Sequence, residues 1–224
     1  MQHRTIGDLM TRDVVRVRPD TSFKEVVGLL ADHGVTALPV VDELDQPVGV
    51  VSEADLLRTV AAQPDPGGLP PSKGRSNGAH PVGEGSTAGE LMTVPAVCAR
   101  PEWTVVEAAR LMDGEGVKRL PVTDEAGALI GIVSRGDLLR VFLRRDEALR
   151  DEITLDVLAR TLGLAPDDVT VEVRQGRVRL KGRVESGRLV PVIERLCRGV
   201  DGVVSVESDL TCGVDGPPEA GLPG

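Results

Sequence analysis

GVVSEADLLRTV, residues 49–60, and GIVSRGDLLRVF, residues 131–142, are two versions of one pattern. In each, an apolar run rich in β-branched residues ends in a serine, and an aspartate lies three positions later. The run reads as a strand, and the segment after the serine reads as a helix. Ser-x-x-Asp at such a junction has two uses. The serine can cap the helix while the carboxylate bonds back to it. Alternatively, the motif can be half of a binding site.

The pattern belongs to a longer repeat. Residues 5–60 align with 87–142 without a gap, and roughly 24 of the 56 positions are identical, which marks an internal duplication. DLMT (8–11) matches ELMT (90–93), Arg18-Pro19 matches Arg100-Pro101, and LPVVDE (38–43) matches LPVTDE (120–125). Each copy reads β-α-β-β-α. In the first, residues 14–17 form a short strand. Ser22 and Glu25 cap a helix that ends at His33-Gly34, strands cover 38–41 and 48–51, and a second helix comes after Ser-x-x-Asp. Thr104 and Glu107 repeat the cap, and Glu115-Gly116 the helix end. Two such copies predict a pseudo-twofold pair, each burying its apolar face on the other. Residues 62–86, rich in Pro, Gly and Ser, read as a flexible linker. Their glycines lack the strand, helix and Gly-Lys-Ser/Thr context of a phosphate loop.

A third segment covers residues 146–213. Apolar spacing predicts a helix through Ile153, Val157, Leu158 and Leu162, and VTVEVRQGRVRLKGRV (169–184) alternates about Gln175-Gly176 as a hairpin. A helix over 187–200 and a strand over 202–210 complete an α-β-β-α-β order. The tail, 214–224, reads as disordered. The fold class is thus α/β in the α+β sense, with two β-α-β-β-α repeats and a small α-β-β-α-β domain.

Composition narrows the function. The 224 residues are 41% hydrophobic but 1% aromatic, with one Trp and no Tyr, so cores are aliphatic and no aromatic platform exists for stacking bases. A net charge of −9 argues against nucleic-acid binding and against anionic membranes. Three scattered cysteines suit a reducing compartment. No signal peptide or run of about 20 apolar residues is visible, so the expected location is the cytoplasm. The three histidines have no metal-ligand spacing, and no catalytic constellation is legible.

The repeat resembles a tandem pair of CBS domains, or Bateman module, on DLMT/ELMT, RPD/RPE, LPVVDE/LPVTDE and GVVSEADLL/GIVSRGDLL. The third segment resembles a BON domain through GRVRLKG (176–182) and VDGVVSVESDL (200–210). The first resemblance implies a regulatory, non-enzymatic protein. It would bind an adenosyl compound (AMP, ADP, ATP or S-adenosylmethionine) in clefts between the halves, with no required cofactor, and would often form a homodimer. The second implies a module for an unidentified partner or a surface.

Carried onto these residues, the resemblance gives two unequal clefts. One uses Ser52 and Asp55 and draws Lys118 and Arg119 from the second copy, where nucleotide-binding members often carry a His-Arg pair. The other uses Ser134 and Asp137, with only Thr36 and the local Arg135. Thr11 and Thr93 would frame the adenine. The carboxylate would take a ribose diol, and the cations, hydroxyl and helix start a phosphate. Three plainer readings stand beside these. Ser-x-x-Asp is only a cap, Lys118-Arg119 is a solvated pair, and the basic hairpin at 174–183 is a solvated sheet face. The alternatives for the whole chain are a constitutive scaffold with empty clefts, or a peripheral membrane protein acting through the BON-like domain.

Overall fold

The computed structural model describes residues 4–61, 63, 67, 86–165 and 167–213. Most of the 62–86 stretch, and the 214–224 tail, lie outside the described residues. The chain divides into two compact units, one of residues 5–138 and one of residues 1–4 with 139–224.

In the first unit each repeat opens with a single helical turn, α1 (Ile6–Leu9) and α4 (Ala88–Leu91). Then come α2 (Phe23–His33) and α5 (Val105–Gly114), the antiparallel pairs β1 (Ala37–Val41) with β2 (Pro47–Ser52) and β3 (Arg119–Thr123) with β4 (Leu129–Ser134), and the closing helices α3 (Glu53–Ala61) and α6 (Arg135–Leu139). The caps read from sequence are present. Ser22 Oγ accepts from Glu25 N–H, and Thr104 and Glu107 form a reciprocal box. Gly34 and Gly116 take the left-handed conformation that ends a helix. The strand expected at residues 14–17 contracts to one parallel bridge, Val17 to Val40, mirrored by Ala99 to Val122. Pro19 and Pro101 come within two residues and turn the chain away before a ladder can extend.

The repeats exchange their leading segments. Thr5 bridges Thr104 and Ser22 bridges Thr87; Thr11 bridges Ile132 and Val50 bridges Thr93. Each of these pairs maps onto its mate under the repeat alignment. Ile6 and Met10 are buried in a core of second-copy residues, among them Ala108, Met112, Leu120 and Val133. Ala88 is buried in the first-copy core with Val26, Leu30, Leu38 and Val51. DLMT and ELMT are therefore the pieces each half lends the other. The methionines close over two strand glycines. A Cβ on Gly49 would lie 2.8 Å from Met92 Cγ, and one on Gly131 2.9 Å from Met10 Cγ.

The second unit holds α7 (Asp146–Glu152), which continues with wider, π-type turns over Ile153–Thr161. The hairpin β5 (Val169–Arg174) and β6 (Arg177–Val184), helix α8 (Leu189–Arg198) and strand β7 (Ser205–Cys212) complete it. Gln175 and Gly176 both have positive φ, as the predicted two-residue turn requires. β7 runs parallel to β6, so the order is β5-β6-β7. The core joins Leu149, Ile153, Val157, Leu180, Ile193 and Cys197. Gly182 has φ +148°, and a Cβ there would fall on the Asp168 carbonyl.

Candidate ligand-binding clefts

Both Ser-x-x-Asp motifs start helices and both are caps. Asp55 Oδ2 accepts from Ser52 N–H at 2.8 Å and from Ser52 Oγ at 2.5 Å. Asp137 Oδ2 accepts from Ser134 N–H at 2.9 Å and Ser134 Oγ at 2.6 Å, and Asp137 N–H donates to Ser134 Oγ at 3.3 Å. The second carboxylate oxygen of Asp55 is turned elsewhere. Oδ1 accepts from Thr93 Oγ1 at 3.4 Å and pairs with the Arg58 guanidinium at 3.0 Å. Thr93 belongs to the segment lent by the second repeat, so this oxygen faces the junction between the copies. At 6% exposure Asp55 is among the few buried polar residues, and a carboxylate so enclosed needs each of these partners.

Arg119, at the start of β3, crosses to the first repeat and donates to Thr36 Oγ1. Thr36 O in turn accepts from Glu53 N–H, the first amide of α3. A guanidinium from one copy thus stands beside the start of the other copy's Ser-x-x-Asp helix. Burial pushes Arg119 below the usual arginine range, and the Glu53 carboxylate opposes that shift. Arg119 stays cationic at neutral pH. Arg119 and Thr36, read from sequence into different clefts, share one hydrogen bond. Lys118 is exposed, and its carbonyl accepts from Arg135 N–H. Arg135 folds back on its own repeat. Its Nε donates to Val117 O at 3.1 Å and its Nη2 to Met112 O at 3.5 Å, where they complement the C-terminal end of α5. Thr11 exchanges backbone bonds with Ile132, as Thr93 does with Val50, and both threonines are exposed.

Sequence reasoning missed Arg58 as the partner of Asp55. Its signal was available, because Arg58 and Arg140 occupy the same repeat position, three residues beyond each aspartate. The exchange of leading segments carried no signal, since near-identical motifs fit either half.

In the C-terminal unit two of the five cations of the basic hairpin, Arg179 and Lys181, are in ion pairs. Arg179 bonds Glu207 at 2.8 Å and Lys181 bonds Glu172 at 3.0 Å. No helix among the described residues is long and apolar enough to cross a membrane.

Compared with known proteins, residues 6–62 and 88–144 match the CBS domain, and residues 145–213 the BON domain. The CBS domain-containing protein CBSX2 of Arabidopsis thaliana, a chloroplastic protein, is 34% identical over 152 residues, covering 62% of this chain and 64% of CBSX2. An uncharacterized protein of Methanopyrus kandleri, MK0525, is 30% identical over 141 residues, 63% of this chain and 64% of its own. The chain therefore spans just under two thirds of the length of either relative. The crystal structure of CBSX2 in complex with AMP superposes with a TM-score of 0.51 at 33% identity, over 62% of this chain and 96% of that one. The CBS domain pair of protein MJ0100, in complex with 5′-methylthioadenosine and S-adenosyl-L-methionine, gives 0.51 at 22% identity over 63% and 97%, a likeness of fold.

Proposed function

The chain belongs to the CBS-domain family, and on that footing we propose that its CBS pair is a regulatory sensor of an adenosyl ligand. The observation that carries this reading is the division of labour at Asp55. One oxygen caps the helix, and the other faces the inter-repeat junction beside Thr93, with Arg119 of the second copy at the same helix start. A ribose diol donates to the outward oxygen in place of Thr93 and Arg58. A phosphate then lies near Ser52, the α3 amides, Arg119 and Lys118. The AMP complex of CBSX2, a relative at 33% identity, supports an adenine nucleotide as the class.

Asp137 and Ser134 form the second, poorer phosphate cleft, since Arg135 is turned to the α5 end. Ligand binding regulates by favouring one arrangement of the two repeats. The BON domain carries the response to a partner in the cytoplasm. The exposed apolar side chains Leu57 and Val60 on α3, 67% and 48% exposed, fit a homodimer.

A scaffold with empty clefts is the second reading, favoured by Asp55 already having Arg58 and Thr93 as partners. Thermal unfolding with AMP, ADP, ATP and S-adenosylmethionine separates the two. A ligand at a hundredfold excess over its Kd stabilises by about 2.7 kcal/mol, so a rise in the midpoint with at least one compound is expected. No rise with any of them favours the scaffold.

A further inference from the structure

The outward oxygen of Asp55 is held by a residue of its own helix. Asp55 lies in the first turn of α3 and Arg58 in the last, and a spacing of three puts both on one helix face. Arg58 reaches Asp55 Oδ1 at 3.0 Å through a single nitrogen, Nη2. Thr93 Oγ1 donates to the same oxygen from 3.4 Å, the longer and weaker contact. The two ends of the ion pair sit in different settings. The Asp55 side chain is 6% exposed and that of Arg58 63%. The carboxylate is also anchored through Oδ2, which accepts from Ser52 N–H and Ser52 Oγ at 2.8 and 2.5 Å. Asp55 is therefore fixed, and Arg58 is the partner that can leave. Arg119, by contrast, is half-buried and tied to Thr36.

Arg58 thus makes on Asp55 the contact that a ligand's donor would make. A neutral diol that takes Oδ1 displaces a cation and strands it, because Asp55 is its one carboxylate partner among the described residues. A diol that carries a phosphate gives the displaced guanidinium a new anion within reach of its long side chain, and guanidinium matches phosphate well. A ligand with a cationic sulfonium instead brings a like charge towards it. The same exchange at Asp55 is therefore unfavourable for a neutral ligand, worse for a cationic one and compensated for an anionic one.

We propose that Arg58 is the specificity-determining residue of the Ser52/Asp55 cleft: it holds the outward oxygen of Asp55 until a ligand replaces it, and it favours phosphate-bearing adenosyl compounds over neutral or cationic ones. This rests on the adenosyl site proposed above. Adenosine, AMP and S-adenosylmethionine are titrated calorimetrically into the full chain and into Arg58→Gln, Arg58→Lys and Arg119→Gln. In Arg58→Gln, adenosine is expected to bind about threefold tighter or more, since it no longer displaces an ion pair, while AMP gains nothing. The preference for AMP over adenosine and over S-adenosylmethionine therefore falls. Arg58→Lys keeps a one-nitrogen pair and is expected to keep the parental preference. Arg119→Gln is expected to weaken AMP and leave adenosine unchanged. Each preference is a ratio of affinities within one chain, so a loss of folded protein in a variant cancels from it. AMP binding by the parent chain with an unchanged preference in Arg58→Gln overturns the proposal and leaves the sensor reading standing. Loss of the preference in Arg58→Lys as in Arg58→Gln overturns it equally, because charge would then not be the cause. Adenosine bound by Arg58→Gln, with no adenosyl compound bound by the parent chain, would end the sensor reading while supporting Arg58 as the group that holds the site shut. No binding by either chain overturns both.

Discussion

At Asp55, one carboxylate serves the backbone with one oxygen and the inter-repeat junction with the other. Asp55→Asn keeps the shape but weakens the Arg58 pair and the acceptor for a diol, so its effect falls on ligand binding more than on folding. Gly49 shows the opposite case, where stability alone sets the residue. A Cβ there would lie 2.8 Å from Met92 Cγ and 3.0 Å from the Thr93 carbonyl oxygen. Gly49→Ala is expected to cost about 1–3 kcal/mol as overpacking, and Gly49→Ala with Met92→Ala to cost less than the sum of the two single changes, as read by urea unfolding. Cys197 supplies a pH signature. Burial pushes its thiol up to about 12 from an ordinary 9.0, with Arg198 opposing and Glu194 assisting. The folded state thus holds its proton longer than the unfolded state. Its contribution to stability is present below pH 9 and fades as pH rises from 9 towards 12. Cys98 shifts upward by the same cause, so the alkaline loss is expected to shrink, not vanish, in Cys197→Ala. An unchanged slope of unfolding midpoint against pH would tell against this assignment.

Among the elements, the exchanged turns α1 and α4 bind the repeats together. Ile6 is fully buried among second-copy side chains, so Ile6→Ala is expected to cost about 2–5 kcal/mol and to loosen the second repeat's core. Protection of the Val133 amide from hydrogen exchange reports that change, and unaltered protection would mean that α1 packs elsewhere. The paired strands β1–β2 and β3–β4, the caps at Ser22 and Thr104, and the hairpin turn at Gln175-Gly176 were legible, because period-two alternation, capping residues and turn residues are local signals. The exchange was not. DLMT and ELMT are almost the same word, and an apolar pattern records that a face is buried without recording by which copy. The reach of Arg119 to Thr36 is likewise non-local, and so is the turn of Arg135 away from its aspartate towards the α5 carbonyls. A long side chain beside a helix start can serve an anion or the end of a neighbouring helix, and only packing decides.

Across the full chain, two units meet different needs. The CBS unit carries the proposed adenosyl sites. The BON unit carries a sheet tied across its outer face by two ion pairs, Arg179 with Glu207 and Lys181 with Glu172. The proposed homodimer is tested at this scale. Leu57→Glu places a charge on the exposed apolar face of α3, and light scattering is expected to report a dimer for the parent chain and a monomer for the variant. A monomeric parent chain would remove the dimer. Adenosyl binding that depends on the Ser-x-x-Asp carboxylates, and is stronger where Arg119 reaches, is what the clefts most require. It is read by calorimetric titration of ATP into the full chain and its Asp55→Ala and Asp137→Ala variants. Saturable binding by the parent chain is expected, with the larger loss of affinity in Asp55→Ala. Absent binding of ATP and equally of AMP, ADP and S-adenosylmethionine, or equal affinity in all three chains, would refute the sensor reading, and a larger loss in Asp137→Ala would reverse the order of the two clefts.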